Sequence, residues 1–157
     1  MARVLARTRI AAEPGEVWAV LTDFAAMPRW FLGVRSVHLL GERVEPGVER
    51  VLTTQAGDSH RERVEECEPG RRLAWSVLEP PWFADRWSAS VELAAVGPSA
   101  TDLSWRIDTE LRGGMLGRLL GRVLLEPALG VVLRMSLARL RRRIEGARHQ
   151  APSETSL

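Results

Sequence analysis

Apolar and polar positions alternate over residues 3–11. Val4, Ala6, Thr8 and Ile10 fall on one face, and Arg3, Leu5, Arg7 and Arg9 on the other. Period two marks a half-buried strand. The period changes over 14–22, where Val17, Val20, Leu21 and Phe24 follow i, i+3, i+4, i+7 with Trp18 beside them. Pro14 suits the first turn of a helix, and Glu16 suits its positive end. A second short helix is predicted over 24–31, carrying Phe24, Met27, Trp30 and Phe31 and limited by Pro28. Strand-like runs then recur at 34–42, 48–55, 59–68, 72–78, 85–96 and 101–112. They are punctuated by Pro46-Gly47, Gly57-Asp58, Pro69-Gly70 and Gly97-Pro98. Connections this short favour antiparallel hairpins.

The last predicted element is a long helix over 115–147. Leu116, Leu119, Leu120, Val123 and Leu124 make one apolar stripe; Leu129, Val132, Leu133, Leu137, Leu140 and Ile144 make another, out of phase with the first. Pro127 lies at the join and removes a helix hydrogen bond, which predicts a kink or break there. The order β, α, α, six β, long α describes a curved antiparallel sheet with one apolar face. Only the terminal helix is long enough to cover it, giving an α+β domain. The expected organisation is one domain over 1–147 and a disordered tail over 148–157.

Composition narrows the function classes. All 22 basic residues are arginine, and the formal charge is only +2. The pI of 9.8 follows from arginine's resistance to deprotonation rather than from a basic patch, so it is no sign of nucleic-acid binding. The lone Cys67 allows no intramolecular disulfide, and His38, His60 and His149 have no zinc-type spacing. No metal or cofactor is expected. The N-terminus is too short and too charged for a signal peptide, and Arg118, Arg122, Glu126 and Arg134 interrupt the most apolar stretch. The expectation is a cytoplasmic protein without a membrane span.

Three stretches carry a resemblance to a known family: Ile10 to Trp30 (IAAEPGEVWAVLTDFAAMPRW), Glu62 to Trp75 (ERVEECEPGRRLAW) and Ser136 to Glu145 (SLARLRRRIE). The layout and these residues resemble the START-like, polyketide cyclase/dehydrase-like (SRPBCC) helix-grip superfamily, over Arg3 to Ile144. The resemblance implies a seven-stranded sheet in the order 1-7-6-5-4-3-2 wrapped on the long helix, with a ligand cavity between them. Strand one would then lie beside strand seven, with Arg3, Arg7 and Arg9 facing Asp102, Asp108 and Glu110. Members include lipid carriers, hormone receptors, cyclases, hydrolases and co-chaperone-like proteins, so the fold does not choose the function.

Within that frame, the candidate ligand-binding residues are Trp30, Phe31, Trp75, Trp87, Trp105, Leu119, Leu120, Val123 and Leu133; the alternative is that they fill a solid core. His60 and Glu62 share one strand face and are the candidates for general acid or base, against a solvated hairpin histidine. Thr53, Thr54 and Gln55 offer hydrogen bonds to a carbonyl. Cys67 reads as an inert thiol. The glycines 113, 114, 117 and 121 point to a close approach or to a loose first turn. The run Arg139, Arg141, Arg142, Arg143 suits a helix C-terminus, with an anionic lipid surface or an acidic partner as the alternative. Three functions follow: binding of an apolar small molecule (lipid, aromatic or polyketide-like), polyketide cyclase/dehydratase chemistry in the same cavity, or a co-chaperone-like interaction role. The last needs an exposed apolar patch, and none is legible. The oligomeric state stays open, a dimer among the alternatives.

Overall fold

The computed structural model describes residues 1–150, with side chains to residue 147. The strands are β1 (Ala2–Ile10), β2 (Val34–Leu40), β3 (Glu49–Thr54), β4 (Ser59–Glu68), β5 (Arg72–Val77), β6 (Ala84–Val96) and β7 (Ala100–Leu111). They form one antiparallel sheet in the order β1-β7-β6-β5-β4-β3-β2. The period-two pattern carries through: Val4, Ala6 and Ile10 are buried under the sheet, as are Leu103, Trp105 and Ile107 opposite them. Gly57 (φ +96°) and Gly70 (φ +75°) close the β3–β4 and β4–β5 hairpins in a conformation that side chains with a Cβ resist.

The β1–β7 register bears out two of the three expected charge pairs. Arg3 lies opposite Asp108, and its Nε donates to Oδ1 at 2.8 Å. Arg9 lies opposite Asp102 and donates from Nε at 2.7 Å, holding that carboxyl below the usual range first through the hydrogen bond and then through its charge. Arg7 falls opposite Ser104, and β1 begins opposite Thr109, so Glu110 faces Arg86 of β6 instead. The sign of the face was right, but a register fixed by β1's start leaves Glu110 beyond its end.

Between β1 and β2 lie α1 (Pro14–Thr22) and a 3-10 turn (Phe24–Arg29). Val17, Leu21, Phe24 and Met27 point into the core. Pro28, which cannot donate, is tolerated in this tighter turn, where Trp30 N–H returns to the Met27 carbonyl at 3.1 Å.

The long terminal helix is divided. The first part, α2 (Gly114–Leu120), ends in a π turn (Gly121–Leu125), from which α3 (Glu126–Gln150) continues. In the π turn the Glu126 N–H reaches the Gly121 carbonyl five residues back. This wide turn stands immediately before Pro127 and shifts the helical phase at the place where the two apolar stripes part. The second stripe meets the sheet: Leu133, Leu137, Leu140 and Ile144 are all buried. The first stripe does not. Backbone 148–150 still belongs to α3; the rest of the expected disordered tail lies outside the described residues.

α3 is tied to the edge strand at both ends. Glu126 Oε1 accepts from Arg3 N–H, and Glu145 Oε1 accepts from Ala11 N–H, each at 3.0 Å. α2 is seated by glycines. A Cβ on Gly117 would overlap the Arg112 carbonyl oxygen, and one on Gly121 would overlap the Leu111 side chain. The glycines therefore mark close approach of helix to β7, one of the two readings the sequence leaves open. Gly117→Ala should cost about 1–3 kcal/mol, because the obstacle is backbone. Gly15→Ala in α1, where an added Cβ meets nothing within 4 Å, should not destabilise. Urea unfolding of the two variants checks this; equal stabilities would remove the close-approach account.

Candidate functional site

Between the inner sheet face and α3 lies a cavity of about 270 Å³. Its walls follow from the alternation of the strands: Trp75 of β5, Trp87 and Ala89 of β6, and Trp105 and Ile107 of β7 all point inward. Phe31, which follows the 3-10 turn, lies over one side. Leu129, Val132 and Leu133 of α3 form the roof. The Trp75 and Trp105 rings meet edge to face at 5.3 Å, and Phe31 stands 5.5 Å from Trp105. Fixed aromatic walls of this kind present a large apolar surface while costing little side-chain entropy.

One wall of the cavity, formed by β3 and β4, is polar. Arg50 of β3 and Glu62 of β4 are cross-strand partners, and Arg50 Nε donates to Glu62 Oε1 at 3.0 Å. Both side chains are almost wholly buried, at 3% and 5% exposure. The guanidinium is held between two rings, 4.3 Å from the Phe24 centroid and 4.8 Å from that of Trp75. These cation–π contacts and the carboxylate compensate a charge that burial alone would not tolerate. His60 and Thr54 line the same β3–β4 wall, two residues from Glu62 and four from Arg50 along their strands. Two buried donors there have no partner among the described residues: Arg50 Nη2 and Thr54 Oγ1. A buried polar group without a partner is costly, so this wall is chemically prepared for an oxygen or nitrogen acceptor.

The structure sorts the residues singled out from sequence. Phe31, Trp75, Trp87, Trp105, Leu133, His60 and Glu62 line the cavity. Trp30 does not: it is buried behind the wall, 5.9 Å from Trp105, beside a void of about 10 Å³ shared with Arg50. Leu119, Leu120 and Val123 are corrected outright. They are 58%, 48% and 60% exposed, because α2 precedes the π turn and turns that stripe away from the sheet. Together with Met115, Leu116 and Leu124 they form the exposed apolar patch that the sequence reading did not find. Of the three hydrogen-bonding candidates only Thr54 lines the cavity. Thr53 pairs with Ser59 at 2.8 Å, and Gln55 Nε2 reaches the Val34 carbonyl. Cys67 is half-buried on β4, donates to the Val44 carbonyl at 3.5 Å, and has its thiol pKa pushed up by burial. Nothing among the described residues activates it as a nucleophile.

Arg50 is the residue that sequence reasoning missed. It shares a strand face with Leu52 and Thr54, and the Gly57-Asp58 hairpin sets it opposite Glu62. An arginine in phase with a buried leucine, facing a glutamate in phase with His60, was the signal.

Comparisons with known proteins agree with this fold. No curated protein sequence matches the chain. Among solved structures, the protein XoxI from Bacillus cereus superposes with a TM-score of 0.75 at 18% identity, covering 96% of this chain and 100% of its own. A protein from Thermus thermophilus gives a TM-score of 0.73 at 20% identity, covering 92% and 98%. One from Thermobifida fusca, solved by solution NMR, gives 0.71 at 26% identity, covering 93% and 95%. The first two likenesses establish the helix-grip fold alone. Sequence adds the family: the model described as polyketide cyclase/dehydrase and lipid transport matches residues 1–145, nearly the whole described chain, and the protein belongs to that family.

Proposed function

We propose that the protein binds an apolar small molecule (a lipid, an aromatic or a polyketide-like compound) whose one polar atom meets Arg50 on the polar wall of the cavity. The observation that carries this reading is the tryptophan-lined cavity with one polar wall, on β3 and β4. Its 270 Å³ stands near the small end of ligand pockets, which run from about 300 Å³ upward. A volume this small favours a short molecule over a long acyl chain. Native mass spectrometry of freshly purified protein, with extraction of anything bound, tests it directly. A titration of the tryptophan fluorescence with laurate and with a naphthoquinone supplies the affinity. Ala89→Trp should fill the space and weaken that affinity at least about tenfold, a loss of about 1.4 kcal/mol. Unchanged affinity in a folded Ala89→Trp protein would place the ligand elsewhere and sink the reading.

A second reading rests on one observation, the presence of His60 on the cavity wall. In it the cavity shapes a reactive polyketide-like chain, excludes water, and uses His60 as general acid or base for cyclisation or dehydration. His60→Ala would then lower turnover by about 10²–10⁴ while leaving binding intact. Full turnover in that variant removes the assignment.

A further inference from the structure

The described helices include none long and apolar enough to cross a membrane. Nevertheless, one surface of the protein has the chemistry of a membrane contact. We infer that α2, the π turn and Trp82 form a docking surface for an anionic lipid bilayer. Trp82 and Met115 are 84% and 86% exposed, and Leu116, Leu119, Val123 and Leu124 are each more than half exposed. Soluble surfaces seldom gather so many large apolar side chains in one place. Trp82 and Phe83 form one wall of an outer groove, and Leu120 and Leu124 form the other, so tryptophan and helix share one face.

Three further observations select the occupant. First, the helix cannot roll its apolar arc inward: Gly117 and Gly121 are buried against β7 and fix which side faces out. Second, the exposed basic residues Arg118 and Arg122, four apart, border that arc, and no acidic residue stands between Arg112 and Leu125. An apolar face bordered by arginine and carrying an exposed tryptophan is the pattern of a helix lying in a lipid headgroup layer. A second copy would present the same arginine-bordered face, which carries no acidic residue between Arg112 and Leu125, so a twofold pairing would offer these arginines no opposite charge from this stretch. Third, the surface adjoins the cavity. Pro81 lines the cavity while Trp82 and Phe83 wall the groove, and the Phe83 ring stands 6.4 Å from that of Trp87 on the cavity wall.

Flotation with lipid vesicles tests this without any cavity ligand, so its outcome is separate from that of the proposed function. The protein should float with vesicles of about one third phosphatidylglycerol in phosphatidylcholine, and weakly or not at all with phosphatidylcholine alone. Arg118→Gln with Arg122→Gln should lower partitioning about 25-fold, each arginine near an anionic surface contributing about fivefold. Leu119→Glu with Val123→Glu should abolish it. All four side chains are exposed, so the fold should persist, and circular dichroism melts check that it does. Failure to float with the anionic vesicles, or equal flotation with both kinds, overturns the inference. So does a concentration-dependent dimer in sedimentation that Leu119→Glu with Val123→Glu dissolves, since a second copy would then own the face.

Discussion

Glu62→Ala is expected to destabilise the protein by about 3–5 kcal/mol, a large effect for a single carboxylate. The carboxylate is 5% exposed and is the one ion-pair partner, among the described residues, of a guanidinium that is 3% exposed. Removing it leaves Arg50 charged and almost wholly buried without its carboxylate. Arg50→Ala should cost a similar amount for the converse reason, with the added loss of packing against Phe24 and Trp75. The double variant Arg50→Met, Glu62→Leu separates the pair's structural role from its chemical one. Replacing a buried ion pair with apolar residues of similar volume is often neutral or better. Most of the stability should therefore return, while affinity for a ligand with an oxygen end should not. Urea unfolding of the three variants compares the cost of breaking the pair with the cost of replacing it. Single variants costing less than about 1 kcal/mol would show that the pair is effectively solvated.

The second large effect is expected at Trp105. Its ring touches Trp75 at 5.3 Å, Phe31 at 5.5 Å and Trp30 at 5.9 Å, and it is 3% exposed. Trp105→Ala removes the centre of that cluster and should cost about 3–5 kcal/mol. Trp105→Phe keeps a ring in place and should cost clearly less. Chemical denaturation of both, with the cavity occupied and empty, gives a further readout: a ligand that stacks on Trp105 stabilises the native protein more than it stabilises either variant. Equal costs for alanine and phenylalanine would mean that volume at this position, rather than an aromatic surface, holds the wall.

Most of the fold was legible because strand alternation and turn chemistry are local signals. The predicted strand at 59–68 is β4 to the residue, and the others differ by one or two positions at their ends. The inward faces of β5, β6 and β7 could also be read, and with them Trp75, Trp87 and Trp105, whereas the sequence left open whether the face of β4 that carries His60 and Glu62 pointed inward. The failures have physical causes. Period reports which side a residue takes, not how far inside it sits, so Trp30 could be placed inward but not behind the wall. The leucines of α2 repeat with helical spacing whether or not a sheet meets them. The sequence showed the two stripes out of phase with a break at Pro127, but not the direction in which the π turn aims each of them, Leu133 to the cavity and Leu119 outward. Arg50 was passed over because charge suggests the outer face, and its partner lies on the neighbouring strand.

The carboxylates that tie α3 to β1 also bear on aggregation. β1 is one of the two edges of the sheet, and an edge strand offers unpaired N–H groups to which another chain can add. At Arg3 and at Ala11, one near the start of β1 and one just past its end, the outward N–H is already bonded to Glu126 or Glu145. An incoming strand long enough to pair with the whole edge would have to displace both carboxylates before it settled into register. The helix that roofs the cavity thus also serves as a guard on the edge of the sheet beneath it.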